Sequence, residues 1–338
     1  MPPFSSPRPV VVITGASAGV GRATAHAFAR RGALIGLLAR DPQALLDTQR
    51  EVEALGSTAI ALPTDVGEFG PVDGAAAAVE DVFGPIDVWV NNAMATVFAP
   101  VKDLKAHELR RVTEVCYFGC VHGTIAALRR MLPRDRGTIV QVGSALAFRG
   151  IPLQAAYCGA KHAIVGFTDS LRAELIHDGS NVKLTAVHLP AMNTPQFEWA
   201  RVRFGWRPRP VGPIMQPERA AEAIVQAALH APRELWVGGS TVQTILGQMA
   251  APGLMDRMAA NMAYEQQLRP EPLPEDYRDN LYEPVPGPHA THGAFDREAS
   301  PRAPVLREQT VRGLAAAGGI MLAAGLAWSA AALARRTA

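Results

Sequence analysis

Cysteine is scarce in this chain, with three in 338 residues. Cys116, Cys120 and Cys158 have neither the spacing of a metal site nor the even count of a disulfide framework, which suits a reducing compartment. Aromatic residues make up only 6%, and 33 basic against 31 acidic side chains leave a net charge of +2. No basic patch with interleaved aromatics occurs, so nucleic acid is not an expected partner. The nine histidines are scattered. His289-x2-His292 sits in a proline-rich stretch without companion ligands, and no metal is expected. Met1 to Pro9 carries prolines in place of an apolar h-region and is not expected to act as a signal peptide.

Against these absences stands a glycine-rich turn. The β-branched run Val10 to Ile13 predicts a buried strand, and the Ala/Phe-rich segment to Arg31 predicts a helix. Between them lies Thr14-Gly15-Ala16-Ser17-Ala18-Gly19-Val20-Gly21. At such a turn a pyrophosphate can lie against free backbone N–H groups and the positive end of a helix dipole. Glycine supplies positive φ and lets phosphate approach the backbone. The spacing is Gly-x3-Gly-x-Gly and not GxGxxG. Gly15-Ala16-Ser17-Ala18-Gly19 also matches a hydrolase nucleophile elbow built on Ser17, but no upstream oxyanion loop precedes it.

A second constellation follows the apolar run Thr138 to Val142: Ser144, then Tyr157 and Lys161 on a predicted helix. Tyr and Lys at i and i+4 share a helix face. An ammonium beside a phenol favours the phenolate, so Tyr157 is expected to have a lowered pKa and to serve as general acid or base. Ser144 offers a hydroxyl to hold a substrate oxygen. Tyr-x3-Lys alone is also ordinary helix-surface chemistry.

Together these pieces resemble the short-chain dehydrogenase/reductase family from about Val10 to Gly239. The matches run in order: Thr14 to Gly21, Asp65-Val66, Asn91-Asn92-Ala93, Ser144, Tyr157-x3-Lys161, and Pro190 to Thr194. The resemblance implies hydride transfer between a nicotinamide and an alcohol/carbonyl pair, in a homo-oligomer. By it, Ser144, Tyr157 and Lys161 are catalytic, with Lys161 also holding the nicotinamide ribose. Thr14, Gly15, Ser17, Gly19, Val20, Gly21, Arg40, Asp65, Val66, Asn91, Ala93 and Thr194 are the other expected cofactor contacts. Asp65 and Val66 would meet the adenine, and Thr194 the carboxamide. Three residues depart from the family pattern: Met94 and Ala191 replace glycines, and Cys116 replaces an asparagine whose carbonyl helps bind a water linked to the lysine. A catalytically weak NADP-binding sensor or scaffold at a membrane is the alternative these departures leave open.

Arg40 and Asp41 follow the run Leu34 to Ala39. An acid there would accept bonds from ribose hydroxyls, whereas a cation suits the extra phosphate of NADP. The planar fork of Arg40 favours NADP(H) over NAD(H). Asp41 is also placed to cap the next helix, with Pro42 in its first turn.

Alternating apolar runs and Ala/Leu-rich stretches predict an α/β fold, a Rossmann-type doubly wound parallel sheet of about seven strands with helices on both faces. The expected strands are Val10–Thr14, Leu34–Ala39, Thr58–Leu62, Ile86–Val90, Thr138–Val142, Lys183–Leu189 and Glu234–Val237. The catalytic domain is placed at 8–245. Within it Phe197, Trp199, Phe204 and Trp206 suggest a lid for a lipophilic alcohol or carbonyl substrate. An extension at 246–312 follows, whose Pro270 to Pro304 reads as a linker or as an arm wrapped over the domain. Gly313 to Ala334 carries no charge and is long enough for a transmembrane helix. A C-terminal membrane anchor with the catalytic domain in the cytoplasm is the expected arrangement.

Overall fold

Five consecutive buried residues form β1 (Val10–Thr14), the strand from which the rest of the sheet is built outward. The computed structural model describes residues 8–317. The other strands of the main sheet are β2 (Leu34–Ala39), β3 (Thr58–Pro63), β4 (Val88–Asn91), β5 (Thr138–Ser144), β6 (Lys183–Leu189), β7 (Glu234–Val237) and β8 (Val305–Arg307). Their spatial order is β8-β7-β6-β5-β4-β1-β2-β3. All pairings are parallel except β7 with β8. The strand order reverses between β1 and β4, which opens a crevice at their carboxyl ends where ligands of doubly wound folds bind.

Strands covered on both faces read as continuous apolar runs, as β1, β2 and β5 do. One face packs α1 (Gly19–Ala29) and a later helix, Pro217–His230, in a cluster containing Ile13, Phe28, Leu37 and Ile224. The other packs α3 (Phe69–Phe83), then α5 (Gly119–Met131) and α6 (Ala155–His177), around Val12, Trp89, Val79 and Met131. α2 (Pro42–Ala54) begins as the sequence suggests: Asp41 Oδ1 accepts from the N–H groups of Gln43 at 2.9 Å and Ala44 at 3.1 Å, with Pro42 in the first turn. α4 (Ala106–Thr113) runs into α5 through a π-helical turn, Glu114–Phe118.

The sheet has eight strands and not about seven. The eighth comes from the C-terminal extension, whose Val305, Leu306 and Arg307 pair antiparallel with Val237, Trp236 and Leu235. The proline-rich stretch lies against the domain. It passes over the carboxyl ends of β1 and β2 before returning to the sheet edge, and residues 308–317 then turn into a helix. The expected span Gly313–Ala334 falls, beyond residue 317, outside the described residues. Among the described residues no helix is long and apolar enough to cross a membrane.

Candidate active site

The crevice is a cleft of about 500 Å³ that runs from the glycine turn to the start of α6. Its near end is fixed by glycine. Gly15 has φ +67°, and a Cβ there would lie 2.8 Å from Ala93 Cα; a Cβ on Gly21 would lie 2.0 Å from the Gly15 carbonyl oxygen. No other residue keeps this turn so close to the β4 loop. Thr14 is buried and acts from beneath, its Oγ1 accepting from Asn92 N at 2.9 Å and Ala93 N at 3.1 Å. The first i→i−4 bond of α1 is Arg22 N–H to Ala18 O, so the amides of Val20 and Gly21 precede the helix ladder. Such a cradle suits a phosphate group, and a dinucleotide fits the residues present.

Gly15, Ser17, Gly19, Val20, Arg40, Asp65, Val66, Ala93 and Thr194 all line the cleft. Asn91 does not. Its side chain points into a buried network, accepting from Trp89 Nε1 at 2.8 Å and donating to Thr124 Oγ1 and Gln141 Oε1. It builds the floor, and Asn92 stands at the wall instead. The Gly19 N–H is spent on the Ala290 carbonyl at 3.0 Å. The Asp65 carboxylate is paired with Arg111 and accepts from Gly67 N. Burial works against its charge, but these partners hold its pKa below the usual carboxylate range.

At the far end, Ser144 closes β5, and Tyr157 and Lys161 lie on the first two turns of α6. All three line the cleft. Ser144 Oγ accepts from Leu146 N at 3.1 Å. Lys161 is buried, and its Nζ donates to the Val142 carbonyl at 2.7 Å. Burial lowers its pKa, opposed by the nearby Cys116 and Cys120. The expectation of a lowered Tyr157 pKa is not met. Burial raises it above the ordinary phenol range, Cys116 adds to the rise, and a side-chain hydrogen bond with Ser144 opposes it.

Cys116 sits in the π-helical turn, and its thiol brackets one residue of the β4 loop. Sγ donates to the Ala95 carbonyl at 3.1 Å and accepts from Ala95 N at 3.3 Å. It is therefore a brace behind the cleft, and burial raises its pKa. The aromatic segment divides: Phe197 and Trp199 line the cleft, whereas Trp206 is 47% exposed. Phe197 also packs against Phe98 and Phe295 at ring distances of 6.0 and 5.8 Å. Sequence reasoning missed Arg149, Gln154, Met255, Met258, Pro284 and His289 as lining residues. The last four belong to the extension, where side-chain patterning carries no cleft signal.

The profile of the family described as short chain dehydrogenase matches residues 9–201. The chain is 32% identical over 316 residues to the uncharacterized oxidoreductase YxnA of Bacillus subtilis, covering 91% of this chain and 89% of that one. With dehydrogenase/reductase SDR family member 7B of Mus musculus it shares 36% identity over 182 residues, 53% of this chain and 56% of the mouse one. An uncharacterized oxidoreductase of Mycobacterium tuberculosis (strain CDC 1551 / Oshkosh) is 29% identical over 260 residues, 74% of this chain and 72% of that one.

Proposed function

The chain belongs to the short-chain dehydrogenase family, and from that premise we propose that it moves hydride between NADP(H) and a lipophilic carbonyl or alcohol, with Tyr157 as general acid and base. The convergence of Ser144, Tyr157 and Lys161 at one end of a cleft that begins at the glycine turn carries this reading. When bound, the nicotinamide supplies or accepts the hydride. Ser144 orients the substrate oxygen. Tyr157, whose phenol is protonated at neutral pH, is the proton donor in carbonyl reduction. In that direction the carbonyl carbon gains the hydride, its oxygen takes the Tyr157 proton, and solvent returns a proton to the phenolate. The Lys161 ammonium stabilises that phenolate while it lasts.

NADP is favoured by charge at the end of β2. Asp41 is engaged as the α2 cap, which takes it from the role of ribose acceptor, while Arg40 faces the cleft. Leu146, Ile151, Met192, Phe197, Met255 and Met258 give the substrate end apolar walls, which supports a lipophilic substrate. The uncharged segment Gly313–Ala334 supports a C-terminal membrane anchor on a cytoplasmic enzyme, and release by carbonate washing would overturn it.

The test is titration of NADPH and NADH into the full chain and its Arg40→Ala variant, followed by energy transfer from tryptophan. Loss of an Arg–phosphate pair weakens NADPH by roughly 10- to 100-fold more than NADH, since the bonds from Arg40 to the carbonyls of residues 280–282 are lost with either cofactor. Preference for NADH would overturn the cofactor assignment, and binding of neither would overturn the reading.

A further inference from the structure

The arm 280–290 reaches the cleft through backbone carbonyls. Arg40 donates to the carbonyl oxygens of Asn280, Leu281 and Tyr282 at 2.5, 3.2 and 2.7 Å. Leu281 is fully buried in the cluster that contains Val66 and Val115. Farther along, Arg22 donates from one nitrogen to both the Ser17 carbonyl at 3.3 Å and the His289 carbonyl at 2.7 Å. With the Gly19 N–H on Ala290, this fixes residues 289 and 290 against the glycine turn itself.

His289 is the side chain that this arrangement leaves unfinished. It is 7% exposed and lines the same cleft as Gly15, Ser17 and Gly19. Its Nε2 lies 2.9 Å from the Val285 carbonyl and 3.6 Å from Asp41 Oδ2. Its ring centre is 4.8 Å from that of Trp199, which holds the imidazole plane. Nδ1 is buried and has no hydrogen-bond partner. Buried polar atoms are ordinarily satisfied, so an orphan nitrogen beside a phosphate cradle marks the place of a ligand group. A ring nitrogen that carries a proton donates to a phosphate oxygen.

We propose that the C-terminal arm is the outer wall of the dinucleotide site and that His289 binds a phosphate group of the cofactor through Nδ1. The proposal rests on the dinucleotide reading above. The arm braces Arg40 and seats the His289 imidazole beside the glycine turn.

The experiment compares NADPH and NADH affinities of the full chain with those of His289→Ala and His289→Gln, each checked for an unchanged melting temperature. Loss of one charge-assisted bond weakens binding by roughly tenfold or more. Equal weakening of both cofactors assigns His289 to the diphosphate, and weakening of NADPH alone assigns it to the 2′-phosphate. Either supports the proposal; unchanged affinity for both overturns it. Hydrogen exchange of peptides spanning 279–291 in the unaltered protein is the second readout. Slower exchange with NADPH bound is expected, and exchange that NADPH does not alter would overturn the wall. If the unaltered chain binds neither cofactor, the dinucleotide reading falls and this proposal falls with it.

Discussion

The Lys161 ammonium stands 5.6 Å from the centre of the Tyr157 ring, one helical turn away, while it donates a hydrogen bond to the Val142 carbonyl. The two side chains thus share one end of the cleft with the ammonium over the ring face. Tyr157→Phe removes the transferable proton and little else. It lowers turnover by roughly 10²–10⁴-fold at unchanged melting temperature and cofactor affinity. Steady-state rates with a panel of lipophilic ketones check this, and retained turnover would sink the mechanism.

The raised Tyr157 pKa fixes the sign of the pH dependence. Reduction needs the protonated phenol, so its rate is flat through neutrality and falls only on the alkaline side. Oxidation of the alcohol needs the phenolate and rises with pH. Rate profiles in both directions on the same substrate pair test this. An oxidation rate independent of pH would remove Tyr157 as the base.

Gly21→Ala strikes the turn. The new Cβ would meet the Gly15 oxygen at 2.0 Å and Asn92 Nδ2 at 2.6 Å, so the turn must shift. Overpacking of this kind costs about 1–3 kcal/mol. Thermal unfolding should show the loss, and nucleotide titration should show weaker binding beyond it.

Glu234 sets an acid limit on stability. Burial would raise its pKa, but hydrogen bonding and charge from His188, with Trp236 and Arg233, outweigh that and hold it at about 2. A depressed carboxylate contributes stability above its ordinary value and loses it as pH falls toward the folded value. Unfolding midpoints should therefore drop between about pH 5 and pH 2. Glu234→Gln flattens that slope; an unchanged slope would assign the acid sensitivity to other carboxylates.

The strands that could be read from sequence are those with a local cause. β1, β2, β6 and β7 have the expected ends because each is a β-branched or Leu-rich run bounded by turn residues. β4 starts two residues late, at Val88, although Asp87 already bonds through its backbone to Val10 and Thr138 on either side. β8 has three residues and no alternation, and only its nonlocal partner makes it a strand. The glycine turn and the Ser144, Tyr157 and Lys161 set were legible because side-chain chemistry at fixed spacing defines them. Asn91 was given to the cleft by the family resemblance, yet strand alternation turns its side chain into the floor. The arm was opaque for a different reason: it meets Arg40 and Arg22 with carbonyl groups, which every residue carries.

Those arm contacts join residues 240 and 267 positions apart, Arg40 to Asn280 and Arg22 to His289. Loop closure over such separations is slow compared with local structure, and chains emerge from synthesis N-terminus first. The βα units through β7 can therefore pack while the arm is still being made. The cleft acquires its outer side only when residues 280–290 arrive and β8 closes the sheet edge. Assembly of the domain and completion of its site are separate events in time, and the second waits on residues 280–307.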